Sequence, residues 1–349
     1  MGCSRMIMTR TPLRVSFIGG GSDYPEFATQ NEGCVFGTTI NQYVYVNLMP
    51  LPIFADEKYR FTYRVTESVQ EVRHILHPVV RSVLTQMSWA TPLNIATMAN
   101  LPGRSGLGSS SSFTVGLIKA LAELKGENMS AKLLAEFAVR TERKLLAEAG
   151  GFQDQYHASY GGLRTYSFGL NDKVKVSEQA SDISFRRLLS ESMVLIPVAG
   201  SRDSSIYAQQ TKKSLSEPSK MKLTLEMAKL AQEISEYLES SNDSPETKIR
   251  RLAAITNEGW KIKQEISHSE VLKEVTDLID KSLKSGAISA RLCGAGGSGF
   301  LLLLSEPNRR IELLSKMVSH KAFPISITDF GSETILSESI GYSNLGVVE

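Results

Sequence analysis

Apolar residues recur at helical spacing directly after the most glycine- and serine-rich part of the chain. Phe113, Leu117, Leu121 and Leu124 share one face, with Ile118 beside them, and the spacing predicts a helix. Upstream, Val15, Phe17 and Ile18 form a β-prone run punctuated by Gly19, Gly20 and Gly21. Residues 34–40, 43–48 and 59–65 read as further strands, with Pro50 and Pro52 marking a loop between the last two. Helical patterns follow over 69–87, then another strand at 93–98. Ser130 is placed to cap a helix running to about residue 149, with Leu133, Leu134, Phe137, Ala138, Leu145 and Leu146 as its apolar positions. This sheet-first layout with helices packed on it predicts an α+β fold rather than repeated βαβ units.

The polar stretch 170–189 reads as strands or turns on an edge, and 193–198 as a short buried strand. Long amphipathic helices are expected over 219–240 and 245–266, and a shorter one over 269–285. The change from sheet-rich to helix-rich pattern near Glu191 predicts two domains, 1–190 and 191–349. A length of 349 residues gives each room for its own core.

Composition narrows the classes. A 42% hydrophobic and 22% charged chain is ordinary for a soluble globular protein, and a net charge of +2 argues against nucleic-acid or membrane-surface partners. Cys3, Cys34 and Cys293 show no paired spacing, which speaks against a disulfide framework or zinc site and fits a reducing cytoplasm. No apolar run approaches the ~18 residues of a spanning helix. The opening MGCSRM lacks a signal-peptide layout, and Met6 stands where a myristoylation motif wants Ser or Thr. The expected partners are small molecules in the cytoplasm, with the oligomeric state left open.

Candidate chemistry gathers at three glycine clusters and two carboxylates. In LPGRSGLGSSSSFTVGL, Gly103, Gly106 and Gly108 precede Ser109 to Ser112. Glycines let backbone N–H groups approach an anion, and serines at a helix start cap its free N–H groups. The positive end of the helix dipole faces the same anion, which predicts a phosphate cradle. A dinucleotide turn needs G-x-G-x-x-G opening a helix, whereas Gly21 is followed by Ser22, Asp23, Tyr24 and Pro25. Those glycines instead suit backbone approach to a ligand, with Asp23 either beside it or serving as a turn or cap residue. A glycine loop from Gly294 to Gly299 joins two strand-like runs and suits close approach to a ligand or another backbone. Glu142 and Asp154 lie twelve apart across a chain reversal at Gly150 and Gly151, so both can face one site. Glu142 alone, on its pattern, reads more readily as a solvated helix charge. Asp154 falls just past a helix end, in a Gln-Asp-Gln setting whose amides can hold its carboxylate. His74 and His77, three apart, read as a partly exposed helix surface rather than a metal site.

Three motifs in this order, TPLRVSFIGGGSDY, LPGRSGLGSSSSFTVGL and RLCGAGGSGF, with GFQDQY between the last two, resemble the GHMP kinases. That superfamily is named for galactokinase, homoserine kinase, mevalonate kinase and phosphomevalonate kinase. The resemblance spans Thr11 to about Leu304, and within the superfamily GGGSDYPEF and GGFQDQYHASYGG look similar to sugar 1-kinases acting on heptose 7-phosphate. It implies a split β-α-β N-terminal domain, a ferredoxin-like C-terminal domain and an active site in the cleft between them.

It also implies ATP and Mg²⁺ as cofactors, with ATP phosphates on Gly103, Gly106, Leu107, Gly108, Ser109, Ser110 and Ser111. Ser110 and Glu142 would hold Mg²⁺. Asp154 would be the general base, with Arg14 beside it and the transferring phosphoryl group. Gly20, Gly21 and Asp23, with Gly296 and Gly297, would line the sugar side. For a sugar phosphate, Arg202 is the first candidate and Arg104 the second; either reads equally as an exposed loop arginine. With no Gly-Lys-Ser/Thr, backbone amides and Mg²⁺ must carry more of the phosphate charge than in a Walker A loop. Departures from the family pattern are Ser298 within the third motif, Arg291 where lysine is common, and Ser22 where threonine is frequent. The implied reaction is phosphorylation of the anomeric hydroxyl of D-glycero-D-manno-heptose 7-phosphate, giving the 1,7-bisphosphate for surface polysaccharide. The alternatives are a fucokinase- or galactokinase-like enzyme and a non-catalytic sugar/ATP sensor.

Overall fold

The buried run ending in Val15, Phe17 and Ile18 extends back into a long strand, β1 (Arg5–Ile18). After the short helix α1 (Pro25–Ala28), it pairs antiparallel with β2 (Gly33–Pro50). The two strands expected at 34–40 and 43–48 are thus one. The register shifts where Pro12 pairs with Tyr43 and Leu13 with Ile40, so Asn41 and Gln42 bulge from β2 without ending it. This computed structural model describes residues 5–339 except 53, 104, 170–172, 179–181, 199–203, 267–270 and 295–298.

Next come β3 (Tyr59–Thr62), β4 (Thr66–Val69), α2 (Pro78–Gln86) and β5 (Leu93–Ala99). His74 and His77 do not share a helix face. His74 lies in a separate 3₁₀ turn, and His77 precedes α2, its ring nitrogen accepting the Val80 N–H at 3.5 Å. The glycine-serine stretch leads into α3 (Ser109–Lys125), whose burial extends beyond one face to Val115, Ala120 and Ala122. It packs on β1 and β2 as a central helix.

Ser130 caps α4 (Ala131–Val139), its hydroxyl accepting the Leu133 N–H at 3.3 Å. The expected long helix changes winding at residue 140, and Arg140–Leu145 forms a π-helical turn. The wider turn rotates the side chains relative to ideal 3.6-residue spacing. Thr141 and Glu142 therefore point inward, while Leu133 and Leu145 are exposed. Then follow α5 (Gln153–Tyr160), β6 (Leu163–Phe168), β7 (Val174–Glu178) and α6 (Ile183–Ser190). The stretch expected as edge strands or turns thus holds one edge strand and one helix. Asp182 caps that helix through the Phe185 N–H at 2.9 Å, and Phe185 and Leu189 are buried beneath it.

The first sheet has eight strands. β6 pairs with the first half of β2 and β5 with its second half, and among the described residues only β3 and β5 run parallel. The remainder comprises β8 (Met193–Val198), α7 (Ser204–Ser214), α8 (Pro218–Ser240), α9 (Pro245–Ile266), α10 (Val271–Lys284), β9 (Ala287–Leu292), β10 (Gly299–Ser305), α11 (Arg310–Lys316), β11 (Phe323–Pro324) and β12 (Glu333–Ser339). A second, antiparallel sheet runs β11-β8-β10-β9. Counted in chain order its strands stand 4-1-3-2, with helices after the first and third, which is the ferredoxin-like arrangement. β12 returns to the first sheet and pairs with β1. No helix among the described residues is long and apolar enough to cross a membrane.

The turn after β1 is fixed by close backbone approach. Gly19 has φ +94°, and a Cβ there would lie 2.0 Å from the Cys34 carbonyl oxygen. The Ser22 hydroxyl, fully buried, donates to the Gly19 carbonyl at 2.7 Å and accepts the Cys34 N–H at 3.0 Å. Gly19→Ala is expected to lower stability by about 1–3 kcal/mol for overpacking, with backbone strain adding to it. Urea unfolding reads this as a lower midpoint at unchanged slope.

Candidate active site

The end of β1, the turn beyond it, the start of α3, the π-helical turn, the start of α5 and helices of the C-terminal half enclose a cleft of about 520 Å³. Among the described residues four carboxylates line it: Glu148, paired with Arg143 at 3.8 Å, and three that a sequence reading singles out, each held by a different partner set. Asp154 lies in the first turn of α5 rather than beyond a helix end. Its Oδ1 receives Arg14 Nε at 2.7 Å and Arg14 Nη2 at 2.7 Å. Arg14 Nη1 donates to the Gly106 carbonyl at 2.6 Å, so one guanidinium joins the base candidate to the glycine loop.

Asp23 is buried and accepts three donors: the Gly21 N–H at 3.0 Å, the Gln153 N–H at 3.1 Å and the Gln153 side-chain amide at 3.0 Å. Burial pushes its carboxyl up, the charge of Asp154 adds to this, and the Gln153 and Gly21 N–H groups oppose it. Glu142 is 1% exposed; its Oε2 accepts the Ser111 hydroxyl at 2.8 Å and the Gln155 amide. Arg143 Nη2 stands 3.5 Å from the same oxygen.

The amides flanking Asp154 therefore do not hold Asp154. Gln153 serves Asp23, Gln155 serves Glu142, and Arg14 takes Asp154. Successive helical residues point about 100° apart, so this run distributes itself over separate partners.

Gly106 and Gly108 have φ +71° and +78°. A Cβ on Gly106 would lie 2.9 Å from the Cys293 carbonyl oxygen, and one on Gly294 would lie 2.6 Å from Gly106 Cα. The second and third glycine motifs are thus packed backbone to backbone at the cleft. The cap of α3 is Gly108, without a side-chain hydrogen bond, and not a serine. Ser111 is spent on Glu142, and Ser112 donates to the Pro12 carbonyl at 2.8 Å. The first-turn N–H groups of α3 have no intrahelical acceptor and open onto the cleft at Ser109, Ser110 and Ser111.

Of the other expected residues, Gly20, Gly21, Gly106, Gly108 and Glu142 line the cleft. Leu107 turns its side chain into the core, and its carbonyl accepts the Arg14 N–H at 3.0 Å. Gly103 is exposed and does not line the cleft. Arg202, Gly296, Gly297 and Arg104 lie outside the described residues. The sequence reading did not single out Arg143 or Lys263, both on the cleft wall. The Gln153 and Gln155 amides, expected at Asp154, serve Asp23 and Glu142 instead.

The donor set suits a hard divalent cation with phosphate. Glu142 Oε1 is buried and has no hydrogen-bond partner among the described residues, an unmet acceptor beside an uncapped helix start.

Comparison with known families agrees with this geometry. The GHMP kinases N terminal domain pattern matches residues 72–162, and the GHMP kinases C terminal pattern matches residues 227–321, together more than half of the chain. The chain belongs to the GHMP kinases. Members of this family use ATP. A D-glycero-alpha-D-manno-heptose 7-phosphate kinase from Campylobacter jejuni is 26% identical over 329 residues, covering 91% of this GHMP kinase and 95% of the relative. A bifunctional fucokinase/GDP-fucose pyrophosphorylase from Arabidopsis thaliana is 24% identical over 93% of this chain, which spans 32% of that longer protein. Among solved structures, a D-glycero-D-manno-heptose 1-phosphate kinase from Bacteroides thetaiotaomicron superposes with a TM-score of 0.74 at 22% identity, over 95% of this chain and 99% of that one. The fold is the two-domain GHMP kinase fold.

Proposed function

We propose that this GHMP kinase transfers the terminal phosphoryl group of ATP to the anomeric (C1) hydroxyl of D-glycero-D-manno-heptose 7-phosphate, giving the 1,7-bisphosphate used for nucleotide-activated heptose and surface polysaccharide in the cytoplasm. The observation that carries the chemistry is the Arg14–Asp154 pair, set against the glycine-capped start of α3. The relative from Campylobacter, matched over nearly the full length of both chains, supports the sugar.

In this reading Asp154 removes the hydroxyl proton as that oxygen bonds to phosphorus and the bond to the bridging oxygen breaks, the electron pair leaving with ADP. Both Arg14 donors converge on Oδ1, so Oδ2 takes the proton. The same guanidinium, anchored on the Gly106 carbonyl, holds positive charge beside the transferring group. The N–H groups of Ser109, Ser110 and Ser111 donate to phosphate oxygens. Ser110 and Glu142 would hold Mg²⁺, which when bound would offset phosphate charge. Ser111 orients the Glu142 carboxylate.

Asp23 faces the sugar with Gly20 and Gly21. A carboxylate offers about four acceptor sites and protein donors fill three here, leaving one for a sugar hydroxyl. Arg202 keeps its candidate role at the sugar phosphate, and Gly296 and Gly297 keep theirs on the sugar side. The chain divides near residue 190 into the N-terminal and C-terminal GHMP domains.

ADP release by purified protein, screened across heptose 7-phosphate, L-fucose, galactose and mannose, tests the reading. The highest kcat/KM is expected with heptose 7-phosphate. Preference for an unphosphorylated hexose would overturn the assignment and favour the sugar 1-kinase reading that the Arabidopsis relative supports.

A further inference from the structure

Lys263 projects from α9 onto the cleft wall and plays no part in the chemistry above. Its ammonium donates to the Gly294 carbonyl and lies 3.5 Å from the Leu292 carbonyl, both at the end of β9. The titratable groups facing it are Arg291 on β9, Cys293 just beyond it and Arg14 on β1. Among the described residues no carboxylate pairs with Lys263 or Arg291. Arg291 is 3% exposed, donates to the Phe17 carbonyl, and leaves Nε without a partner. Two basic groups therefore lie together at the seam where Gly106 meets Gly294, with no counter-charge among the described residues. Such an arrangement is costly unless an anion completes it. An ammonium has three donors; with at most two on carbonyls, one is left for the cleft.

We propose that Lys263, backed by Arg291, receives a phosphate of the ligand on the C-terminal side of the cleft. This rests on the kinase reading of the cleft. The phosphate is either the acceptor's own or the terminal one of ATP, and the two sources predict different kinetics.

Burial and the adjacent Arg291 pull the Lys263 ammonium down to about 7. A bound phosphate restores the pull toward the charged form. Below pH 7 the site is already protonated and binding takes up no proton there. Above pH 7 binding must take up a proton, so affinity falls with rising pH by up to about tenfold per unit.

The test compares wild type, Lys263→Met and Lys263→Arg. Calorimetric titration with inorganic phosphate at pH 8, in two buffers of different ionisation heat, counts the protons taken up. Wild type is expected to take up close to one; Lys263→Arg, whose guanidinium stays charged, is expected to bind with none and without the pH slope. Lys263→Met is expected to lose affinity at least tenfold at unchanged urea midpoint. In steady state, an acceptor-phosphate site raises KM for the phosphorylated sugar alone in Lys263→Met. A site for the ATP phosphate instead changes kcat or the ATP KM with every acceptor. Phosphate affinity equal in all three proteins, or uptake of no proton by wild type, overturns the proposal. If the wild-type enzyme phosphorylates no sugar, the functional reading fails, while the phosphate titration still decides the role of Lys263.

Discussion

Replacing Asp154 with asparagine is expected to lower kcat by about 10²- to 10⁴-fold, the usual contribution of a positioned general base, while ADP affinity is retained. The reasoning is local. Asparagine keeps the shape and still offers one oxygen to Arg14, so the guanidinium keeps its place against the Gly106 carbonyl. It cannot take a proton. The lost ion pair costs less stability than the ~3–5 kcal/mol of a fully buried pair, because the Asp154 side chain is 23% exposed. Single-turnover phosphoryl transfer, ADP titration and a urea midpoint on the same preparation separate these effects. Unchanged turnover in Asp154→Asn would exclude Asp154 as the base.

The features legible in the sequence were those written in a few neighbouring residues. Ser130 capped the helix it was expected to cap, because capping needs only a hydroxyl and an N–H three residues on. The start of α3 after Gly108 was visible because glycine, a polar run and then apolar spacing follow in order. Features set by distant chain segments were not visible. β2 reads as two strands because Asn41 and Gln42 interrupt its pattern, yet β1 bridges the interruption by pairing Pro12 with Tyr43 and Leu13 with Ile40. The π-helical turn that aims Glu142 inward has no composition of its own. Lys263 sits among other lysines on a long amphipathic helix, and only the fold places it beside Arg291. The Gln-Asp-Gln run shows the boundary between the two cases. Its residues were identified, but their partners follow from Asp154 lying inside α5, where neighbours diverge around the axis.

The same logic makes Glu142 the second position of large expected effect. Its Oε2 is occupied by Ser111 and Gln155, so Oε1 is the atom left for a cation. Glu142→Gln keeps an oxygen for those two donors and places an NH₂ where Oε1 stood. That group presents hydrogens to the cation and removes the negative charge. The Mg²⁺ concentration for half-maximal activity is expected to rise by more than the 10- to 100-fold that loss of an outer partner costs a metal site. Mn²⁺ bound in the presence of ADP, counted by electron paramagnetic resonance, gives a readout independent of turnover and should weaken in parallel. The two serines then distinguish direct from indirect contact. Ser110 lines the cleft at the helix start, whereas the Ser111 hydroxyl donates a hydrogen bond to Glu142. Ser110→Ala is expected to weaken Mn²⁺ binding by removing an oxygen ligand. Ser111→Ala frees the carboxylate to rotate, and the loss should reach at most the outer-partner range. Unchanged Mn²⁺ affinity in both Glu142→Gln and Ser110→Ala would remove the cation from this corner of the cleft. A larger loss with Ser111→Ala than with Ser110→Ala would assign the ligand hydroxyl to Ser111, and would leave Glu142 as the carboxylate it serves.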